Sequence, residues 1–175
     1  MRLFVQCTRD GVPVLFNDWA LPSSRHDLVS RMTYEEFAKA GLEAGRGKGV
    51  IQGMVGSGVD RQDLASAQRQ VARSYAALAD VLDVLPPDLN LDLHICYPDR
   101  SEEAALQLGP TQNINAVADA VLTVVFNHAR RLREQKDSPL RSFVFSSYNT
   151  DICTAMNWKQ PNCMCRLYPD ETELR

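Results

Sequence analysis

Val5-Gln6-Cys7-Thr8-Arg9-Asp10-Gly11-Val12-Pro13-Val14-Leu15-Phe16-Asn17-Asp18 is the stretch whose reading decides the fold of this chain. Leading into it, Leu3, Val5 and Cys7 alternate with Phe4, Gln6 and Thr8, the period of a strand with two unlike faces. Arg9-Asp10-Gly11 supplies a tight turn, and Val12 to Phe16 reads as a second, apolar strand. The expectation is a β-hairpin over residues 2–16 that delivers Asn17-Asp18 to its end.

Downstream the pattern changes. Pro22 to Asp27 is a polar loop, and Thr33 with Glu36 has the spacing of a capping box, opening a short helix over 34–40 that Gly41 stops. Residues 43–60 hold six of the nine glycines. Gly45-Arg46-Gly47-Lys48-Gly49 lacks the spacing of a phosphate-binding loop, so a flexible insertion is expected there. Gln62 to Leu85 carries helical spacing until Pro86-Pro87 ends it. Leu89 to Tyr97 alternates strictly and puts Asn90, Asp92, His94 and Cys96 on one face of a strand. Asn113 to Glu134 is the strongest helix, with Ile114, Val117, Val121, Val124, Val125 and His128 on its buried side. A strand over 142–146, a short helix over 151–158 and a strand over 163–167 complete the chain. Alternating strands and helices predict parallel βαβ units, an α/β fold.

Composition narrows the function classes. A net charge of −3 without a Lys/Arg run gives no nucleic-acid footprint. No segment approaches the roughly 18 apolar residues of a membrane span. Five cysteines without framework spacing fit a reducing compartment, cytoplasm or nucleus.

The hairpin resembles the glycerophosphodiester phosphodiesterase family. So do Thr33-Tyr34-Glu35-Glu36-Phe37, Leu78-Ala79-Asp80-Val81-Leu82 and Phe145-Ser146-Ser147-Tyr148-Asn149. Tyr97-Pro98, Leu108-Gly109-Pro110, Val125 to Arg130 and Asn157-Trp158-Lys159-Gln160-Pro161-Asn162 are similar to a fungal branch. Proteins of that branch join an SPX domain, ankyrin repeats and a phosphodiesterase-like domain, and inhibit a cyclin-dependent kinase in phosphate signalling. The resemblance implies part of a TIM (β/α)8 barrel of the PLC-like phosphodiesterase type. Such a barrel takes typically about 250 residues, so the 175 residues here are expected to be truncated at both ends, with 43–60 an insertion.

In active members two histidines serve as acid and base, and carboxylates hold a divalent cation against the phosphate charge. The resemblance places the two carboxylates of one barrel strand at Arg2 and Phe4, and the second histidine at Asn17. Neither a guanidinium nor a phenyl ring coordinates a divalent metal, and an amide transfers no proton near neutral pH. On the next strand, anchoring on Tyr97-Pro98 puts the metal Glu at His94 and the phosphate-binding Lys at Cys96. Anchoring on Asn90 puts them at Asp92 and His94. Both registers turn the same face inward. Asp18 matches the family pattern and is read as a turn residue, with a remnant site role as the alternative. Asp18, Asp92 and Lys159 could line a residual pocket.

The remaining candidates have plainer readings. His128 is a core histidine, His26 a solvated loop residue and Trp158 a packing residue. Cys153 with Cys163-x-Cys165 lacks a fourth zinc ligand, so small buried thiols are expected. Ser146-Ser147 lacks the glycines of a nucleophile elbow. The expected function is therefore a catalytically degenerate phosphodiesterase-like module that regulates a kinase–cyclin complex. No metal site is expected, and a phosphorylated small molecule is a possible ligand. The alternative is an active hydrolase of glycerophosphodiesters, which alone would call for a divalent cation, Ca²⁺ or Mg²⁺.

Overall fold

The computed structural model describes residues 1–23, 26–47, 64–72, 74–109, 111–134, 141–161 and 165–168. Its centre is a six-stranded sheet: β1 (Arg2–Cys7), β2 (Pro13–Leu15), β3 (Ala76–Ala77), β4 (Leu91–Ile95), β5 (Phe143–Ser147) and β6 (Cys165–Leu167), in the order β3-β2-β1-β4-β5-β6. β1, β4, β5 and β6 run parallel, while β2 pairs antiparallel with β1 and β3.

The hairpin forms as read. Gly11 takes φ +77° and donates to the Thr8 carbonyl at 2.8 Å. The Asp10 carboxylate accepts from the Thr8 hydroxyl at 2.6 Å and from the Tyr34 N–H at 3.0 Å. One side chain thus fixes the turn and the start of helix α1 (Tyr34–Glu43), whose Thr33–Glu36 capping box is complete.

Gly41 does not stop α1. It lies inside the helix against Tyr75, whose ring packs with Phe16 and Phe37 at centroid distances of 5.1 and 5.0 Å. A Cβ at position 41 would collide with the Tyr75 side chain, so this glycine serves a close approach and not a helix end. Residues 48–60 of the expected insertion lie outside the described residues.

The helix expected over 62–85 is two helices, α2 (Leu64–Ala72) and α3 (Leu78–Val84), with β3 between them. Ser74 turns the chain by hydrogen-bonding the Val71 carbonyl through both its hydroxyl, at 2.7 Å, and its N–H, at 3.1 Å. Ala76 and Ala77 then pair with Leu15 and Val14. Helix α4 (Arg100–Leu106) has no counterpart in the sequence reading. It buries no residue, so it shows no apolar stripe, yet Asp99 and Glu102 form a second capping box.

One face of the sheet carries Leu3, Val5, Leu93, Ile95 and Phe145 into the main core. It is covered by α3, α5 (Ile114–Glu134) and α6 (Thr150–Lys159), through Val81, Val121, Val125, Ile152 and Met156. At the N-terminal end of the strands, buried Arg141 donates to the carbonyls of Leu85 and Pro86 at 2.6 Å and of Leu82 at 3.2 Å. His128 joins this anchor as a core residue, with Nε2 3.3 Å from Arg141 and Nδ1 3.2 Å from Asp83. Trp158 is no packing residue, being 85% exposed. Among the described residues, no helix is long and apolar enough to cross a membrane.

Candidate functional site

Side-chain alternation sends Arg2, Phe4 and Gln6 of β1 and Asp92 and His94 of β4 to the face opposite the main core. Parallel pairing sets Arg2 beside Asp92, Phe4 beside His94, and His94 beside Ser146. Residues 90 positions apart therefore meet: Arg2 Nε donates to Asp92 Oδ2 at 2.7 Å. The Ser146 hydroxyl donates to Asp92 Oδ1 at 2.6 Å. With its one proton spent there, Ser146 Oγ can only accept from His94 Nδ1, 3.1 Å away. His94 is thereby fixed as the Nδ1–H tautomer.

His94 is 1% exposed and packed between Phe4, which meets it edge-on, and the tilted Tyr148 ring, at centroid distances of 5.2 and 4.4 Å. Burial first, and the Arg2 charge second, pull its pKa down to about 4, so the ring is neutral near pH 7. The arrangement is a chain of satisfied hydrogen bonds and not a nucleophilic relay: the serine proton points to the carboxylate and the histidine proton to the serine.

A cleft of about 210 Å³ opens at the C-terminal ends of β1, β4 and β5. Phe4, Trp19, His94, Tyr97 and Tyr148 supply its rings, Asn17 and Asn149 its amides, and Asp99 and Glu102 its charge. The described lining contains no Lys or Arg. Asn17 reaches the cleft, while Asp18 is exposed. The turn holding both is tied down by Gln6, whose Nε2 donates to the carbonyls of Phe16 and Asp18 at 2.9 Å. Cys96 also lines the cleft, but burial pushes its thiol up to about 12, with the charges of Glu102 and Asp18 adding. It carries no thiolate near neutral pH.

Lys159 does not belong to this site. Its ammonium pairs with Asp119 at 2.9 Å, joining the last turn of α6 to α5. The cleft lies at the other end of α6, where Asn149 caps the helix. Ten residues of helix span about 15 Å, too far for the side chain to return.

A divalent cation does not fit these residues. Asp92 is the carboxylate that β4 turns to this face, and both its oxygens are engaged, one by a cation. Among the described residues, no group of three His, Cys, Asp or Glu side chains converges to hold a metal.

The sequence reading missed Gln6, Trp19 and the part Asn149 plays. Asn149 caps α6 by accepting from the N–H groups of Asp151 at 2.8 Å and Ile152 at 3.3 Å. Its Nδ2 donates to the Pro98 carbonyl at 3.1 Å, tying the loop after β5 to the loop after β4. An Asn three residues ahead of an apolar Ile was the available signal.

The sequence profile of the "Glycerophosphoryl diester phosphodiesterase family" matches residues 4–173. The chain belongs to that family. It is 36% identical over 164 residues to "Ankyrin repeat protein nuc-2" of Neurospora crassa, a match covering 93% of this chain and 15% of that protein. It is 31% identical over 102 residues to "Phosphate system positive regulatory protein PHO81" of Saccharomyces cerevisiae, covering 57% of this chain and 9% of that protein. A match of 23% identity over 194 residues covers 93% of this chain and 16% of "Glycerophosphocholine phosphodiesterase gde1" of Schizosaccharomyces pombe. The chain thus spans a small part of these relatives' length.

Two solved bacterial structures share its fold. The putative glycerophosphoryl diester phosphodiesterase of Silicibacter pomeroyi superposes with TM-score 0.51 at 17% identity, covering 95% of this chain and 53% of that one. A phosphodiesterase of Oleispira antarctica gives 0.50 at 18%, covering 94% and 51%. The α/β sheet described above is therefore part of a phosphodiesterase-type TIM barrel, and its cleft lies at the end where such barrels place their sites.

Proposed function

We propose that this domain is a regulatory module of fungal phosphate signalling that does not hydrolyse phosphodiesters and works by contact with a kinase–cyclin complex. The observation that carries the reading is the Arg2–Asp92 ion pair at 2.7 Å. Arg2 stands where the family likeness expects a metal-binding carboxylate, and it neutralises the carboxylate opposite. Phe4 and Asn17 occupy two further positions of the expected machinery. Loss of an acid/base group alone is worth about 10²–10⁴ in rate. The name of the Saccharomyces cerevisiae relative, a phosphate system positive regulatory protein, supports a regulatory role.

The ligand expectation changes as well. A phosphorylated small molecule finds two carboxylates and no Lys or Arg in the described lining of the cleft. The proposed work is therefore protein contact. The likeness to the Schizosaccharomyces pombe phosphodiesterase favours the second reading, an active hydrolase. Reconstitution separates the two. Full-length protein is titrated against the phosphate-responsive kinase–cyclin complex while kinase activity and glycerol-3-phosphate release are followed together. Falling kinase activity with no release supports the regulator. Release with unchanged kinase activity supports the enzyme.

A further inference from the structure

We propose that Cys153 and Cys165 are an oxidation site, a thiol pair that a peroxide closes to a disulfide joining α6 to β6. The two Sγ atoms are 3.1 Å apart. A disulfide of about 2.05 Å needs them to approach by only about 1 Å. Cys153 is the fourth residue of α6, Cys165 the first of β6, and the Cys165 N–H donates to Asn157 Oδ1 of α6 at 2.7 Å, which ties the two elements together. Both side chains are 5% exposed, so a small oxidant is required.

The pair is polarised. The Cys165 thiol donates to the Cys153 sulfur, which also receives a backbone N–H from Ser147 and sits near the N-terminus of α6. These donors lower the Cys153 thiol below its ordinary value, with the Cys165 hydrogen bond the largest cause. Cys7 lies buried elsewhere in the core, and burial pushes it up to about 12. Cys153 is therefore the attacking sulfur. Its thiolate attacks one peroxide oxygen, the O–O bond breaks, and the departing hydroxide takes a proton to leave as water. Cys165 then attacks the Cys153 sulfenic sulfur. The S–S bond forms, the S–O bond breaks, and the second oxygen leaves as water with the Cys165 proton. Two thiols and one peroxide give one disulfide and two waters, two electrons passing from sulfur to oxygen.

The bond would act on the cleft. It would lock the helix whose N-cap, Asn149, forms the cleft wall to a strand that pairs on one side with β5.

The test treats the full-length protein with hydrogen peroxide, alkylates it in denaturant and maps peptides without reduction. The expected result is loss of the Cys153 and Cys165 thiols together and a cross-linked peptide lighter by two hydrogens. Cys163→Ser should keep the cross-link. Cys165→Ser should lose it and leave a sulfenic acid on Cys153 that dimedone traps. Full alkylation of both thiols after peroxide, or a bond from Cys153 to Cys163, would overturn the proposal. The wild-type and Cys163→Ser arms decide the matter even where Cys165→Ser fails to fold.

Discussion

His94 makes the stability of this domain depend on pH in a way its packing quantifies. The ring is 1% exposed, and the groups facing it are Phe4, Tyr148, Ser146, Arg2 and Asp92. Its pKa falls from 6.5 to about 4. Because the folded value lies below the unfolded one, the unfolded chain binds the extra proton. The stabilisation is complete above pH 6.5 and is lost as the pH falls towards 4. At 1.36 kcal/mol per tenfold change in proton affinity, the full loss is about 3 kcal/mol, and about 2 kcal/mol of it is gone by pH 5. The assay is urea unfolding at pH 7.5 and pH 5.0 for the wild type and His94→Gln. His128 and the surface carboxylates are common to both proteins and cancel in the comparison. The wild type should lose about 2 kcal/mol more than the variant, a midpoint difference near 1 M urea. Nuclear magnetic resonance should place the His94 titration near pH 4. Equal pH dependence in the two proteins, or a His94 titration near 6.5, would refute the reasoning.

Three other substitutions probe the parts that hold the site. Arg141→Met keeps the bulk but removes the donors to Leu82, Leu85 and Pro86, and should cost about 2–4 kcal/mol in urea unfolding. Gly41→Ala gains helix propensity of about 1 kcal/mol but meets the Tyr75 side chain. A net loss of about 1–2 kcal/mol is expected, read as a lower thermal midpoint. Asn149→Ala removes the α6 cap and the bond to Pro98, costing about 1–2 kcal/mol. It should also speed hydrogen exchange in the first turn of α6.

What could be read from sequence was what neighbours decide. The 2–16 hairpin, the Thr33–Glu36 box and the stripe along α5 each depend on residues within a few positions, and each is present. Gly41 was misread because its reason is Tyr75, which approaches from elsewhere in the chain. β3 went unseen because two alanines become a strand only by pairing with β2. Helix α4 escaped because it buries nothing, though its Asp99–Glu102 box was legible. At the site, alternation correctly put Asp92 and His94 on one face. The Arg2–Asp92 pair depends on the register of two strands far apart in sequence, which no local pattern states. Lys159 was drawn into the site by sequence likeness, and its partner Asp119 lies on a helix 40 residues earlier.

The most direct test is release of glycerol-3-phosphate from glycerophosphocholine by the full-length protein, in Mg²⁺, in Ca²⁺ and in chelator. Arg2 bound to Asp92, with Phe4 and Asn17 beside it in the fold, predicts release at the buffer rate under all three conditions. Metal-dependent turnover that chelator abolishes and that Asn17→Ala removes would contradict the account.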